Sequence, residues 1–224
     1  SLPAIAQQHP APTANQEEVV EPEIVVTGFA KPYKLTGKQL VRAQTAFNAK
    51  RGQLAPQSQL YFQITSQEGG DISDLDLYLK RGDEVLSLPL DGQSRFVLPP
   101  LNGNDWTLFA NRNRKAIAIT PTILSPGTSE RNRMLGDLRL QCETYWAMSS
   151  PETAIVVRAM FSAAGGCKGT KFGYYISTQA VITSGIVSDG SASTPLRLWG
   201  DHRYQAPIGI KAMPNTARVT LSPP

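Results

Sequence analysis

Apolar and polar positions recur along this chain with two periods, and the changes of period mark its elements. Between residues 37 and 54, Leu40, Ala43, Phe47 and Leu54 recur at spacings of 3, 4 and 7, with Lys38, Arg42 and Gln44 off that line. This spacing predicts an amphipathic helix, capped by Thr36 and ended near Gly52. From Leu60 the period falls to two. Leu60, Phe62 and Ile64 alternate with Tyr61, Gln63 and Thr65, and Leu75, Leu77 and Leu79 alternate with Asp74, Asp76, Tyr78 and Lys80. Turn residues at 68–71, 81–83 and 91–92 separate these runs from further short β-type runs at 85–88, 95–98, 106–110 and 116–120. Strands of this length at this spacing predict an antiparallel β-sandwich over 57–124.

Pro126, Gly127 and Asn132 then predict a linker over 125–134, and the alternation of Leu135, Asp137, Leu138 and Leu140 up to Cys142 predicts a strand over 135–142. Ser149, Ser150, Pro151, Glu152 and Thr153 form a helix start, followed by an apolar stripe of Ile155, Val156, Ala159, Met160 and Ala163 and a stop at Gly165 and Gly166. Runs at 172–177, 180–187, 195–199 and 218–221 predict four more strands. The fold class is therefore mainly β: an N-terminal antiparallel sandwich followed by a second α+β unit over 135–224, in which one helix packs on a β-sheet. Ahead of the sandwich, 1–22 is expected to be a flexible tail. Residues 23–56 hold a short strand at 24–27 and the basic amphipathic helix.

Charge changes this picture in one place. The net charge is +4, yet residues 1–30 carry four glutamates and no lysine or arginine, whereas 31–56 carry six cations and no acid. A segment such as 31–51 either contacts polyanions or forms a solvated helix face. With only two histidines and two cysteines, a multi-Cys/His zinc module is excluded. No apolar run approaches the roughly 20 residues of a membrane-spanning helix.

Ala4, Ile5 and Ala6 have the small-x-small form of a signal peptidase site, so a secretory signal, export and a periplasmic or outer-membrane location are expected. Cys142 and Cys167, 25 positions apart, are then expected to be oxidised to a disulfide. Glu23, Ile24, Val25, Val26, Thr27 and Gly28 resemble the segment that precedes the plug domain in TonB-dependent receptors, which implies a Gram-negative envelope setting.

The run 75–101, with Leu90, Asp91 and Gly92 followed by Arg95, Phe96, Val97, Leu98, Pro99, Pro100 and Leu101, resembles the carboxypeptidase regulatory-like, or transthyretin-like, β-sandwich domain. That family places a glycine about two positions before the aromatic residue, where this chain has Ser94. The resemblance implies a non-catalytic module, often an appendage of exported proteins, and it brings no catalytic residues.

Candidate chemistry is sparse. A Ser-His-acid triad would have to use His202, whose neighbour Asp201 diverges from it along the chain. Asp71, Asp74 and Asp76 offer either oxygen ligands for Ca²⁺ or a glycosidase pair, against the ordinary role of the wet side of a strand. The sequence 165–170 lacks the strand and the ending of a phosphate loop. Trp106, Trp146, Trp199, Tyr174 and Tyr204 offer exposed aromatic faces for stacking on sugars. Trp199, His202, Arg203 and Tyr204 are the candidate ligand-binding residues. The expectation is a non-enzymatic structural or binding module of the bacterial envelope, with no cofactor, no nucleic acid and no transmembrane segment. Its partner would be an envelope protein or a polysaccharide. A carbohydrate- or polyanion-binding module and an unrecognised hydrolase are the alternatives.

Overall fold

The computed structural model describes residues 32–67, 72–170 and 173–224. The strand expected at 24–27, the receptor-like segment at 23–28, His9, Lys31, Asp71 and Phe172 lie outside the described residues.

The first half is built on two antiparallel sheets. Strands β1 (Tyr33–Thr36), β6 (Thr107–Ala110), β3 (Leu77–Arg81) and β4 (Glu84–Ser87) pair in the order β1-β6-β3-β4. Strands β5 (Arg95–Phe96), β2 (Gln59–Ser66) and β7 (Ile117–Leu124) pair in the order β5-β2-β7. Leu35, Leu77, Leu79, Leu108 and Ala110 of the first sheet share one core with Phe62, Ile64, Phe96, Ile117 and Ile119 of the second. The period-two rule puts these on the inner faces. Pro121 pairs with Phe62 inside β7, which is an edge strand, so its missing N–H removes no ladder bond. The strand therefore continues to Leu124 instead of stopping at Thr120.

Helix α1 (Gly37–Leu54) starts where the spacing placed it. Thr36 accepts from Gln39 N, and Gln39 Oε1 accepts from Thr36 N, closing a capping box. Its buried face is Leu40, Ala43 and Phe47. Gly52 does not end it; the helix runs two residues further.

Residues 135–142, read as a strand, open helix α2 (Leu135–Ser149). The misleading alternation has a physical origin. Leu138 and Cys142 face the C-terminal core, Leu140 faces Phe47, Ala55 and Ile123, and Met148 reaches the sandwich core. A helix buried on several sides has no single apolar stripe. Gly136 allows α1 and α2 to close up, since a side chain there would strike the carbonyl of Leu54.

Strands β11 (Ser193–Pro195), β10 (Ser184–Ser188), β13 (Arg218–Ser222) and β8 (Asn132–Met134) form a second four-stranded sheet, and β12 (Arg203–Gln205) pairs with β9 (Tyr175–Ser177). The second half is thus α+β, and α2 is the helix embedded in its core. Residues 180–183 and 196–199 are not strand, and β12 forms outside the four expected runs. In the β9–β12 pair Arg203 stands opposite Ser177 and Gln205 opposite Tyr175, while the Gln205 N–H donates to the Arg197 carbonyl and the Arg203 carbonyl accepts from Trp199 N.

The helix α3 (Ile155–Ala163) starts two residues after the expected 149–153 cap, which forms a short 3-10 turn. Its expected inward stripe faces outward. Ile155, Val156 and Met160 are 75%, 67% and 68% exposed, and Phe161 is its one buried residue. Phe161 stacks on Trp146 at 3.8 Å, and the Cys142–Cys167 disulfide ties the following turn to α2.

Candidate functional site

The outer face of the β5-β2-β7 sheet does not open directly to solvent. The period-two rule that sends Phe62 and Ile64 inward sends Gln63 and Thr65 outward, beside Ala118, Thr120 and Thr122 of β7 and Arg95 of β5. Facing this row of amides and hydroxyls across a cavity of about 390 Å³ stand Tyr174, Tyr175 and Ser177, with Arg133, Gln141 and Tyr145 completing the lining. A second, wider cavity of about 920 Å³ adjoins it, shares Thr65, Gln67 and Ser177, and adds Trp199, Asp201, His202 and Arg203. The two cavities lie side by side and form a cleft between the two halves of the chain.

Its floor is held by a buried network. Arg133 is only 3% exposed; its Nη2 donates to the carbonyl of Ile123 at 2.7 Å and to Gln141 Oε1 at 2.7 Å. The same Gln141 oxygen accepts from Ile123 N, and Gln141 Nε2 donates to the Tyr174 hydroxyl at 3.5 Å. Arg133 Nε has no hydrogen-bond partner, and Arg133 makes no ion pair among the described residues. Asp137, also buried, is engaged elsewhere, accepting from the amide and hydroxyl of Ser125. Glu130, on the rim, accepts from the Gln179 amide at 2.5 Å. Burial drives the Tyr174 phenol far above its ordinary pKa, and the Tyr204 phenol up to about 12, with the Arg133 charge opposing both shifts.

Arg95 is braced differently. It stacks 4.8 Å over Tyr61, and its guanidinium meets Asp91 at 2.8 Å. Burial works against the charged Asp91, but bonds from Arg95 and the backbone amides of Gln93 and Arg95 outweigh it and hold that carboxyl below its usual value.

The structure separates the four expected ligand residues. Trp199, His202 and Arg203 line the wide cavity, with Trp199 60% exposed and packed edge-on against Tyr175 at 5.9 Å. Tyr204 is fully buried in the C-terminal core, its hydroxyl without a partner among the described residues. His202 Nε2 lies 3.9 Å from Asp201 Oδ1, and both side chains are exposed. Of the other aromatics expected at the surface, Trp106 is buried beneath the Arg81 guanidinium, and Trp146 is partly buried against Phe161.

Asp74 pairs with Arg112, and the Asp76 backbone and carboxylate meet Asn111, so both fasten the approach to β3 onto the end of β6. Among the described residues no cluster of histidine, cysteine or acidic side chains is placed to hold a metal ion. The basic segment is also engaged structurally. Arg42 bonds Glu152 and the carbonyls of Ala147 and Met148, and Lys50 bonds Glu143. No described helix is long and apolar enough to cross a membrane.

Gln63 and Thr65 were visible as the polar half of an amphipathic strand, whereas Thr120 ends the expected run at 116–120 and Thr122 lies beyond it. Arg133 carried no such signal, because it sits in a stretch whose proline and glycine content reads as a linker. No known protein family, no curated protein and no solved structure matches this chain.

Proposed function

We propose that this chain is a non-catalytic module of the bacterial envelope that binds a saccharide chain in the cleft between its two halves. The observation that carries this reading is the lining itself. Hydroxyls of Thr65, Thr120 and Thr122 supply donors and acceptors and the Gln63 side-chain oxygen a further acceptor, its NH2 being held by the Gln93 and Ile64 carbonyls, while Tyr175 and Trp199 present partly exposed rings along the same cleft. Sugars need both features: hydroxyls that exchange hydrogen bonds in both directions, and C–H faces that rest on aromatic rings. The size of the inner cavity falls within the range of sites that enclose a small ligand.

Export is supported by the small-x-small pattern at residues 4–6 and by the Cys142–Cys167 disulfide, a bond that persists in oxidising compartments. The transthyretin-like reading of the first half gains support from Ser94, whose φ is +56° at the place where that family carries glycine. The basic helix favours a polyanion reading less, because Arg42 and Lys50 already hold α1 against α2 and the turn after it.

Titrating the purified chain with a panel of oligosaccharides tests this. Binding should weaken by about 10-fold or more in Tyr175→Ala and Trp199→Ala, a loss equivalent to one well-packed aromatic contact. Binding by no member of the panel contradicts it.

A further inference from the structure

Resting on that reading of the cleft, we infer that its inner end is an oxyanion subsite, built by Arg133, for a carboxylate or sulfate carried on the saccharide. A guanidinium withdrawn from water loses its hydration, and proteins compensate such a charge with a counterion or a full set of acceptors. Arg133 has neither among the described residues. Its two described partners are the neutral carbonyl of Ile123 and the neutral carboxamide of Gln141, both taken by Nη2, and Nε is unpartnered. The position is built rather than incidental: Gln141 is locked by Ile123 N and Tyr174, and Arg133 itself is on β8, hydrogen-bonded to β13.

The surroundings favour an anion as well. Arg95 adds a second positive charge to the lining, already paired with Asp91. Glu130 is the one acid on that lining, and it is turned to the Gln179 amide. Nη2 is doubly engaged and Nε is closed off from the cavity, so the oxyanion meets the remaining Nη1 end, in a charge-assisted bond stronger than the one an isolated hydroxyl makes.

The test uses the whole chain and ligands that differ in charge alone. An oligouronide hexamer, its methyl ester, an unsubstituted glucan hexamer and a sulfated glucan hexamer are titrated calorimetrically at fixed ionic strength. The subsite predicts that the free uronide or the sulfated glucan binds between about 10- and 100-fold tighter than the ester and the neutral glucan. Whichever acid wins names the source of the oxyanion. Because Arg133 is buried, the companion variant is Gln141→Glu, which puts an internal carboxylate against the guanidinium at nearly constant shape. It should keep the melting temperature while erasing the acid preference. Lys38→Gln and Arg158→Gln, outside the lining, should leave the preference intact. Equal binding of acid and ester, or an acid preference that survives in a folded Gln141→Glu variant, overturns the subsite while leaving the saccharide reading in place. If none of the four hexamers binds, the saccharide reading falls with it.

Discussion

Arg133 Nη2 lies 2.7 Å from Gln141 Oε1, so a buried cation is met by an uncharged amide eight positions away, across the junction of β8 and α2. The same amide receives the backbone N–H of Ile123 on β7 and reaches Tyr174 beside β9. One side chain therefore fastens three elements around the cleft floor. Gln141→Leu should cost about 3 kcal/mol, since it strands a buried charge and a buried N–H together. Urea denaturation of the variant beside the parent chain checks this, and a loss below about 1 kcal/mol would show that the network is not rigidly held.

Ser94 occupies the left-handed region at φ +56°, the single non-glycine described residue to do so. It closes the Asp91 turn, donating its N–H to Asp91 and offering its carbonyl to Ile64 N. Ser94→Gly removes the clash between Cβ and the backbone at some entropic cost, and the balance should stabilise the fold by up to about 1 kcal/mol. A raised midpoint of chemical denaturation with an unchanged slope is the expected signature.

The turn after α3 is held by Cys142–Cys167, and the helix itself by Phe161. Replacing both cysteines by serine should lower stability by about 3 kcal/mol, the loop-closure value for a bridge of this span. Limited proteolysis should then cut within 155–168, a segment left intact in the oxidised chain. By contrast, Ile155→Ser and Met160→Ser should each stay within about 0.5 kcal/mol of the parent, because their side chains are mostly exposed.

Tyr204 is fully buried with no hydroxyl partner among the described residues, and burial raises its pKa from the ordinary 10.0 to about 12. The sign follows from linkage. Below pH 10 both folded and unfolded phenols are neutral; between about 10 and 12 the unfolded chain ionises first, so folding stability falls as pH rises. Tyr204→Phe should therefore match or exceed the parent in stability at pH 7 and lose less of it between pH 10 and 12. An identical alkaline decline in both chains would contradict the burial of that hydroxyl.

The parts of the fold with one wet face and one dry face were legible in the sequence. Strands β2, β3 and β6 show their period because their buried residues point into one core, and helix α1 shows its own because Leu40, Ala43 and Phe47 lie on one face, although Phe47 joins a second cluster. Helix α2 was not legible, since Leu138, Leu140 and Met148 serve three different clusters and their spacing imitates a strand. Helix α3 failed in the opposite sense: its stripe is regular, yet Ile155, Val156 and Met160 are left outside the core. Strand β1 escaped notice because Tyr33 and Leu35 give only two alternations before Thr36 caps α1. At the cleft, Trp199, His202 and Arg203 were found through their residue types. Arg133 was not, because its role comes from tertiary burial of an otherwise ordinary loop arginine.

The most direct measurement is an amide-proton and nitrogen NMR titration of the intact chain with the tightest oligosaccharide of the panel. The account predicts shifts concentrated in the side-chain amides of Gln63, Gln93 and Gln141 and in the backbone of 174–177, with α1 and α3 unperturbed. Shifts confined to α3, to the basic face of α1 or to the Asp74 and Asp76 turn, with the cleft silent, would contradict it.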